Sequence, residues 1–335
     1  MTDDAGWRIY RGDGKESPNR LTRLPDPPPW RQFDRFASHR AERFRPPKGV
    51  VEAVNAALYL RRPVLVTGDP GTGKSSLAYA IARELGLGDV LPWYVNSRST
   101  RLDGLYEYDA LSRLREANFE RMAESAQPLA APGAAPVPRP RNSEDLGRFI
   151  TLGAIGTAFI APKGTPRVVL IDEIDKSDID LPNDLLHVLE EGEFTITELA
   201  RHADREATIR VNTSDRGERV PVTAGRVQCA EFPIVIITSN GERDLPPAFL
   251  RRCLRIELPA PTAEELKSIV TSHLPDDDAS TLDALIATFE AQRAKGIMAT
   301  DQLLNAFFLV SRGGSMTAED RAVVEAILLR ELGPR

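Results

Sequence analysis

The sequence predicts an α/β fold, in which a parallel sheet flanked by helices is followed by a small all-helical domain. The run Val168-Val169-Leu170-Ile171 is continuously apolar and β-branched, as are strands buried on both faces of a parallel sheet. A second apolar run, residues 63–67, leads into a glycine-rich turn and then into a helical pattern. After Pro259 no strand pattern remains. Amphipathic helices are predicted there instead, over residues 263–273, 280–295, 300–312 and 317–332.

Helical and strand patterns alternate between these landmarks. Further helices are predicted over residues 50–60, 74–85, 146–162, 182–191 and 247–252, with mixed helical signals over 97–125. Further strands are predicted over residues 91–96, 232–238 and 254–258. Short alternating segments within residues 193–230, with the turn signal Asp215-Arg216-Gly217, predict a β-hairpin inserted as an excursion from the main sheet. Five prolines between residues 127 and 142 predict a flexible insertion.

Three parts of the chain follow from these patterns: an N-terminal extension (1–47), an α/β domain (48–259) and a helical domain (260–335). The extension is rich in proline, which forbids long helices and central strands. Its aromatic residues, interspersed with arginines, are Trp7, Tyr10, Trp30, Phe33 and Phe36. Two interpretations stand: an arm that inserts these aromatics into a neighbouring subunit or partner, or a segment that packs on its own domain.

A basic cluster lies at the end of the extension. It consists of Arg35, Arg40, Arg43, Arg45 and Lys48. Basic residues interleaved with aromatics are also found where proteins bind single-stranded nucleic acid. A solvated face is the better interpretation, because the run also contains Glu42 and matches no nucleic-acid-binding module.

Composition limits the class of protein. The 335 residues are 41% hydrophobic and 27% charged, as in soluble globular proteins, and the net charge of −6 argues against a surface built to coat nucleic acid. No apolar run approaches the roughly 18 residues of a membrane span, and the first residues lack the apolar region of a signal peptide. Cys229 and Cys253, with four histidines in the chain, form no metal-ligand pattern. We expect a reduced, cytoplasmic protein with two small buried thiols.

The segment after the first strand has the pattern G-x-x-x-x-G-K-[ST]. Its residues are Gly68, Asp69, Pro70, Gly71, Thr72, Gly73, Lys74, Ser75 and Ser76. Glycines let backbone N–H groups wrap a phosphate without a Cβ in the way, and the following helix directs its N-terminal dipole at the same anion. Lys74 is expected to neutralise the β- and γ-phosphates, and the Ser75 hydroxyl to ligate Mg²⁺.

The buried strand at 167–171 ends in Asp172-Glu173-Ile174-Asp175. At the tip of such a strand, Asp172 is placed to hold the Mg²⁺ shell, and Glu173 to polarise an attacking water. Alone, such a run could be chance plus surface carboxylates, but after a phosphate loop an acidic pair at the end of a strand indicates the second half of a nucleotide site. We therefore expect ATP and Mg²⁺ to bind here.

These signals in this order resemble an AAA+ ATPase. The resemblance rests on the phosphate loop, VVLIDE, a strand ending TSN, a helix ending LRRC and the C-terminal helices, and it covers about residues 48–335. The inserted hairpin and the segment LPPAFLRRC are similar to the MoxR branch of that superfamily.

The resemblance implies roles for further residues. Asn240, at the tip of the strand ending TSN, would orient the water against the γ-phosphate. Arg252 would be the finger that reaches into the next subunit's site, with Arg251 as its rival, so that hydrolysis depends on assembly. Val50 and Val51 lie where adenine sits in such folds, although two valines there are equally ordinary core residues.

Two positions leave alternatives open. Proteins similar to MoxR carry a sensing arginine near the start of the third C-terminal helix, where this chain has Thr300-Asp301-Gln302. Either Gln302 does a weaker version of that task or the contact is absent. Asn96, at the end of the second strand, either holds Glu173 inactive until a ligand arrives or is a plain strand-end asparagine.

The resemblance implies a Mg²⁺-dependent ATPase that forms a ring, a hexamer by family habit, and remodels or activates a partner protein. A von Willebrand A-domain partner is a family expectation. A DNA-acting AAA+ protein, of the helicase-motor or clamp-loader type, is one alternative, but the acidic charge balance and the lack of a DNA-binding module argue against nucleic acid as a partner. A slow, ATP-bound switch or scaffold is the other.

Overall fold

A computed structural model describes residues 7–14, 16, 18–32, 41–42, 44–126, 144–274, 279–313 and 316–330. The chain forms two compact units. The first comprises residues 1–52, 66–84 and 256–335, and the second comprises residues 53–65 and 85–255. The predicted domain boundaries at residues 47 and 259 stay a prediction.

The described strands fall into two sheets. They are β1 Val64–Thr67, β2 Leu91–Tyr94, β3 Tyr106–Tyr108, β4 Ile150–Leu152, β5 Val168–Asp172, β6 Glu193–Thr195, β7 Thr208–Asn212, β8 Arg219–Thr223, β9 Arg226–Gln228, β10 Ile234–Ser239 and β11 Leu254–Glu257. The first sheet has the order β11-β1-β10-β5-β2 and the second the order β3-β4-β7-β8-β9-β6.

The helices complete the described architecture. They are α1 Lys48–Leu60, α2 Lys74–Glu84, α3 Arg101–Leu105, α4 Ala110–Ala126, α5 Glu144–Arg148, α6 Ala154–Phe159, α7 Leu181–Glu191, α8 Thr197–Ala200, α9 Pro247–Leu250, α10 Ala263–His273, α11 Ala279–Arg293, α12 Thr300–Arg312 and α13 Ala318–Leu328. Short 3-10 helices span Pro18–Arg23, Pro29–Arg31 and Ile174–Lys176.

The first sheet confirms the α/β class with a parallel sheet. β5 pairs in parallel with β10 on one side and with β2 on the other, so that Leu170 lies opposite Ile236 and Ile171 opposite Trp93. Residues 168–171 are completely buried, which is why this strand reads as a continuous apolar run.

The inserted strands are more extensive than the predicted hairpin. β7 and β8 do form an antiparallel hairpin, with Val211 opposite Val220. The hairpin is not an excursion from the main sheet, because it belongs to the second, six-stranded sheet, in which β4 pairs with β7 through Thr151 and Asn212. The first of the short alternating segments predicted within residues 193–230, Phe194-Thr195-Ile196-Thr197, also divides into β6 and the short helix α8.

The helix predicted over 146–162 is wrong. The chain forms two short helices, α5 and α6, separated by β4, because residues 150–152 pair with β3 and β7 instead of continuing a helix. A Cβ on Gly147 would lie 2.0 Å from the carbonyl oxygen of Arg210, and one on Gly156 would lie 2.0 Å from that of Leu105. The mixed signals over 97–125 resolve into α3, β3 and α4. The proposed flexible insertion, residues 127–142, lies outside the described residues.

A bidentate ion pair fixes the start of β5 to the β7–β8 turn. Arg167 donates to both carboxylate oxygens of Asp215, at 2.6 and 2.9 Å, and also to the carbonyl of Asp89 at 3.0 Å. The hydrogen bond to Asp215 raises the pKa of Arg167. The turn signal that sequence reasoning identified therefore also supplies a tertiary contact.

The C-terminal helices have their own core, and part of the N-terminal extension packs on it. Trp30 donates from Nε1 to the side-chain oxygen of Asn305 at 3.0 Å, and its ring lies edge-on to His273 and Phe308. Arg8 forms an ion pair with Asp320. For these residues the structure favours packing on the chain's own helices over an arm. Phe33 and Phe36, with Arg35, Arg40 and Arg43, lie outside the described residues.

Among the described residues, none of the helices is both long and apolar enough to cross a membrane. The same residues contain no cluster of three or more histidine, cysteine or acidic side chains arranged to hold a metal ion.

Candidate functional site

The phosphate loop lies in the first compact unit, between β1 and α2. Gly68, Gly71 and Gly73 have φ angles of 142°, 77° and 88°, which residues with a side chain rarely adopt. A Cβ on Gly68 would lie 2.4 Å from the carbonyl oxygen of Leu258, and one on Gly71 would lie 2.6 Å from the backbone nitrogen of Thr300. The loop therefore requires glycine, and a glycine backbone of this kind can wrap a phosphate.

Lys74 begins α2 and folds back onto this loop. Its residue is only 7% exposed, and Nζ donates to the carbonyls of Gly68 at 2.7 Å and Asp69 at 2.9 Å. Thr72 also donates to the Asp69 carbonyl, at 2.9 Å. The loop thus holds a buried positive charge at the first turn of a helix, and both the charge and the helix dipole favour an anion. Ser75, the next residue, is half-buried.

Phe44 is a residue of this region that sequence reasoning missed. A Cβ on Gly73 would lie 3.0 Å from a carbon of the Phe44 ring. The available signal was an aromatic just before the first predicted helix. Of the two valines expected near adenine, Val50 is buried and Val51 is 41% exposed.

Gln302 connects α12 to the end of α13. Its Oε1 accepts a hydrogen bond from the backbone of Ala299 at 2.9 Å, while its Nε2 donates to the carbonyls of Leu328 and Arg330 at 3.1 and 2.7 Å. Since both ends of the amide are engaged within the helical part, the structure favours the alternative in which a nucleotide-sensing contact from this position is absent.

The acidic pair lies in the second compact unit, at the end of β5, and one hydroxyl organises it. The Glu173 backbone N–H donates to Thr238 Oγ1 at 2.8 Å, and the Thr238 hydroxyl donates in turn to Asp172 Oδ1 at 2.7 Å. Thr238 is 1% exposed on the neighbouring strand β10. Its role depends on strand pairing, so the letters TSN alone did not reveal it.

Both oxygens of the Glu173 carboxylate have partners. Asn240 Nδ2 donates to Oε1 at 3.4 Å, and Lys176 Nζ donates to Oε2 at 2.8 Å. The hydrogen bond to Glu173 raises the pKa of Lys176. The backbone of Glu173 is left-handed, with φ 62° and ψ 50°, a conformation that residues other than glycine seldom adopt and that often marks functional sites.

Asp175 holds the start of the loop after β10. Its Oδ2 accepts from the backbone N–H groups of Asn240 at 3.0 Å and Glu242 at 2.9 Å, and the residue is 2% exposed. The side chain of Asn240 is thereby directed from a fixed backbone. The predicted residues Asp172, Glu173 and Asn240 are thus part of one hydrogen-bonded network, together with the unpredicted Thr238, Asp175 and Lys176.

The family described as AAA domain (dynein-related subfamily) has a sequence model that matches residues 63–253, which is more than half of the chain. The chain belongs to this family. No curated protein matches the chain. As a member of the AAA+ superfamily, the protein binds nucleotide and has an ATP-dependent activity.

The two arginines predicted as finger candidates follow α9 in this AAA domain. Arg252 forms an ion pair with Glu190 of α7, whereas the side chain of Arg251 is exposed. Arg62 donates to the backbone carbonyls of both residues, from Nε to Arg252 at 3.0 Å and from a terminal nitrogen to Arg251. Arg62 therefore fixes the backbone of the pair, a role that nothing in the motif suggested.

The hydrogen bonds of Asn96 join it to the turn that follows β2. Its Oδ1 accepts from the backbone N–H of Arg98 at 2.9 Å, and its own N–H donates to Ser99 Oγ at 3.0 Å. The Glu173 carboxylate is held by Lys176 and Asn240 instead. These contacts favour the plain strand-end role for Asn96.

The two cysteines differ in reactivity. Burial raises the pKa of the Cys253 thiol to about 12, whereas Cys229, which is half-buried, has a pKa raised by burial to a smaller degree. Because the thiolate is the nucleophile, we expect Cys253 to stay neutral and unreactive at ordinary pH. We expect iodoacetamide at pH 8 to leave Cys253 unmodified in the folded AAA domain and to modify both thiols after denaturation. Peptide mass spectrometry measures this, and rapid native labelling of Cys253 would show that the segment after α9 opens.

Proposed function

We propose that the protein is a Mg²⁺-dependent, ring-forming AAA+ ATPase of the MoxR type, which uses ATP hydrolysis to remodel or activate a partner protein. The observation that supports it most directly is the network around Glu173. A carboxylate held at both oxygens, at the tip of a buried strand, is a preorganised acceptor for a proton.

The reaction follows from these groups. Glu173 accepts a proton from water as the water oxygen bonds to the γ-phosphorus, and the bond from that phosphorus to the bridging oxygen breaks to release ADP. Asn240 orients the water, and Lys74 neutralises charge on the β- and γ-phosphates. The residues of the segment 68–76 hold the phosphates, with Val50 and Val51 near adenine.

The side chains suit ATP and Mg²⁺. Oxygen ligands are those that Mg²⁺ prefers, and the sequence supplies the Ser75 hydroxyl and the Asp172 carboxylate. The metal would neutralise charge on the phosphates. Gly68 and Gly71, at which a Cβ would meet neighbouring backbone atoms, provide the kind of loop that a triphosphate needs.

We propose that Arg252 acts in the neighbouring subunit's site, so that hydrolysis depends on assembly. Its present partner, Glu190, is on the surface, with 52% of its side chain exposed, so the ion pair is easily exchanged for another anion. Arg251 remains the rival for this role. The MoxR assignment is supported by the β7–β8 hairpin and by the segment 245–253, and a von Willebrand A-domain partner is proposed on that basis alone.

A mixing experiment tests hydrolysis and the finger together. Glu173→Gln lacks the base but can still donate its arginine, and Arg252→Ala has an intact base but cannot donate. Each variant alone should hydrolyse ATP slowly, and mixing the two should restore a substantial part of wild-type turnover. Arg251→Ala serves as the matched control, and its mixture with Glu173→Gln should show no rescue beyond its own activity.

The results separate the competing assignments. Rescue with Arg251→Ala rather than Arg252→Ala would transfer the finger to Arg251. Strong turnover by dilute, monomeric protein would contradict an arginine acting in trans. If the wild-type chain binds ATP but turns it over slowly under every condition, the slow switch replaces the motor.

The DNA-acting alternative finds little support in the hairpin. Arg210 and Arg219 each donate to the other's backbone carbonyl across β7 and β8, so these two cations bond within the hairpin itself.

A further inference from the structure

Helix α4 turns its apolar side away from the protein. Its described side chains are those of residues 110–119, 121 and 122. Arg113 donates to the Tyr108 hydroxyl at 2.8 Å, and Glu116 pairs with Arg148 at 3.4 Å, so polar groups make the inward contacts. This arrangement is the reverse of a surface helix that buries its apolar stripe against its own core.

The outward side carries four large apolar side chains. Leu111, Leu114, Phe119 and Met122 are 68%, 60%, 71% and 67% exposed. Their spacing of three, eight and eleven positions from the first places them along one side of the helix. Single exposed apolar residues are ordinary, but a contiguous stripe marks an interaction site. We call these four residues, with the two arginines between them, the outward face of α4.

The described charged side chains on this face are all positive. Arg115 and Arg121 are both exposed on the same side as the apolar residues, whereas Glu116 is turned towards Arg148. Among the described side chains of α4, no carboxylate lies on the outward face. An occupant complementary to this face is therefore apolar and acidic.

Two hydrogen bonds hold the start of the helix. The Asp109 side chain accepts from the backbone N–H of Ser112 at 2.8 Å and so caps the first turn of α4. The Asp109 backbone N–H donates to the carbonyl of Phe149 at 2.8 Å. These two bonds hold the start of α4, next to Leu111 and Leu114 of the outward face.

We propose that the outward face of α4 docks an acidic amphipathic helix of a protein partner. The inference rests on the proposed function, because it names the surface by which the ATPase would engage that partner. Arginine, methionine and aromatic residues are enriched at the centres of protein interfaces. A membrane-surface helix instead keeps its cations on the side opposite its apolar residues, and a phosphate-backbone site is dominated by cations.

A charge exchange tests the proposal on the full chain. The probes are two helical peptides of roughly five turns, about 18 residues, with the same leucine positions and either glutamate or lysine at the flanking positions. Wild-type protein should bind the glutamate peptide, as measured by fluorescence anisotropy. Arg115→Glu/Arg121→Glu should weaken that binding by about tenfold or more and should gain binding of the lysine peptide. Arg201→Glu, an exposed arginine elsewhere in the chain, is the control and should change neither.

The apolar part has its own pair of variants. Phe119→Ala should weaken binding of the glutamate peptide, whereas Tyr59→Ala, which removes an aromatic ring that is 87% exposed on α1, should not. Each variant removes an exposed ring, so folding is retained in both.

Other outcomes would overturn the proposal. Peptide binding that ignores the charge exchange would do so, as would arginine-dependent binding to phosphatidylserine vesicles in place of the peptide. Loss of self-association in the Arg115→Glu/Arg121→Glu variant, without peptide binding by the wild type, would assign the face to a second copy of the chain. If the charge-reversed variant switches from the glutamate to the lysine peptide but the protein does not hydrolyse ATP, the docking surface stands and the proposed function is refuted. If the protein hydrolyses ATP but the variant does not switch peptides, the proposed function stands and the docking surface is refuted.

Discussion

Replacing Glu173 by glutamine should leave ATP binding intact and reduce hydrolysis by about a hundredfold or more, the usual contribution of a positioned general base. Glutamine keeps the shape and an oxygen that can accept the hydrogen bond from Asn240, but it has no charge to accept a proton from water. It also loses the ion pair with Lys176. Because the two side chains of that pair are about 40% exposed, the loss should cost little stability.

Single-turnover hydrolysis and calorimetric ATP binding, measured on the same preparation, separate the two effects. Glu191→Gln on α7 is the matched control, since Glu191 is also exposed and its ion-pair partner among the described residues is His187 of the same helix. It should behave as wild type. Undiminished hydrolysis by Glu173→Gln would remove Glu173 from the mechanism, and a loss of binding as large as the loss of hydrolysis would make its role structural.

Gly71→Ala should displace the phosphate loop or the start of α12 and weaken ATP binding severely. The left-handed backbone costs an alanine about 1–2 kcal/mol. The added Cβ would lie 2.6 Å from the backbone nitrogen of Thr300 and 3.0 Å from the side chain of Ala299, so the loop or the start of α12 must move. Overpacking of this kind costs a further 1–3 kcal/mol or so. We expect a lower melting temperature and at least about tenfold weaker ATP binding.

Gly88→Ala isolates the backbone part of this effect. Gly88 has φ 74°, close to the 77° of Gly71, but a Cβ there meets nothing within 4 Å. It should therefore lose only the 1–2 kcal/mol or so of backbone strain and should bind ATP normally. Equal melting temperatures and equal ATP affinities for the two variants would show that the contact with α12 does not constrain the loop.

Helices whose apolar residues recur over several turns, and whose ends carry capping residues, were predictable from the sequence. The bounds of α10 and α12 agree with the prediction residue for residue. At the start of α10 the cause is local, because Thr262 and Glu265 form a capping box, in which the Thr262 N–H donates to Glu265 at 2.8 Å. Such signals need no tertiary partner to be read.

The second sheet could not be predicted in the same way. β3 and β4 have three residues each, too few for an alternating pattern to be recognised, and they are stabilised by partners far away in the sequence. The glycines around β4 lie within the segment that was predicted as one helix. They mark instead the places where two backbones come too close for a side chain.

The candidate site shows the same division. The segment 68–76 and the pair Asp172-Glu173 were predicted because each is a motif of residues adjacent in the sequence. Thr238 and Arg62 were missed because their contacts come from pairing with other strands and loops. Lys176 is only three positions from Glu173, yet its contact depends on the left-handed backbone of Glu173. A glutamate gives no sequence signal for that conformation.

The hydrogen bonds of Thr238 limit the substitutions that this position can accept. Its single hydroxyl is both acceptor and donor, so one atom sets the placement of two neighbouring acids. Serine could reproduce both bonds, whereas valine, which has the same shape, would break both at once. A substitution at this position therefore affects both carboxylates together. We expect only threonine and serine, which carry a small aliphatic hydroxyl, to be accepted there.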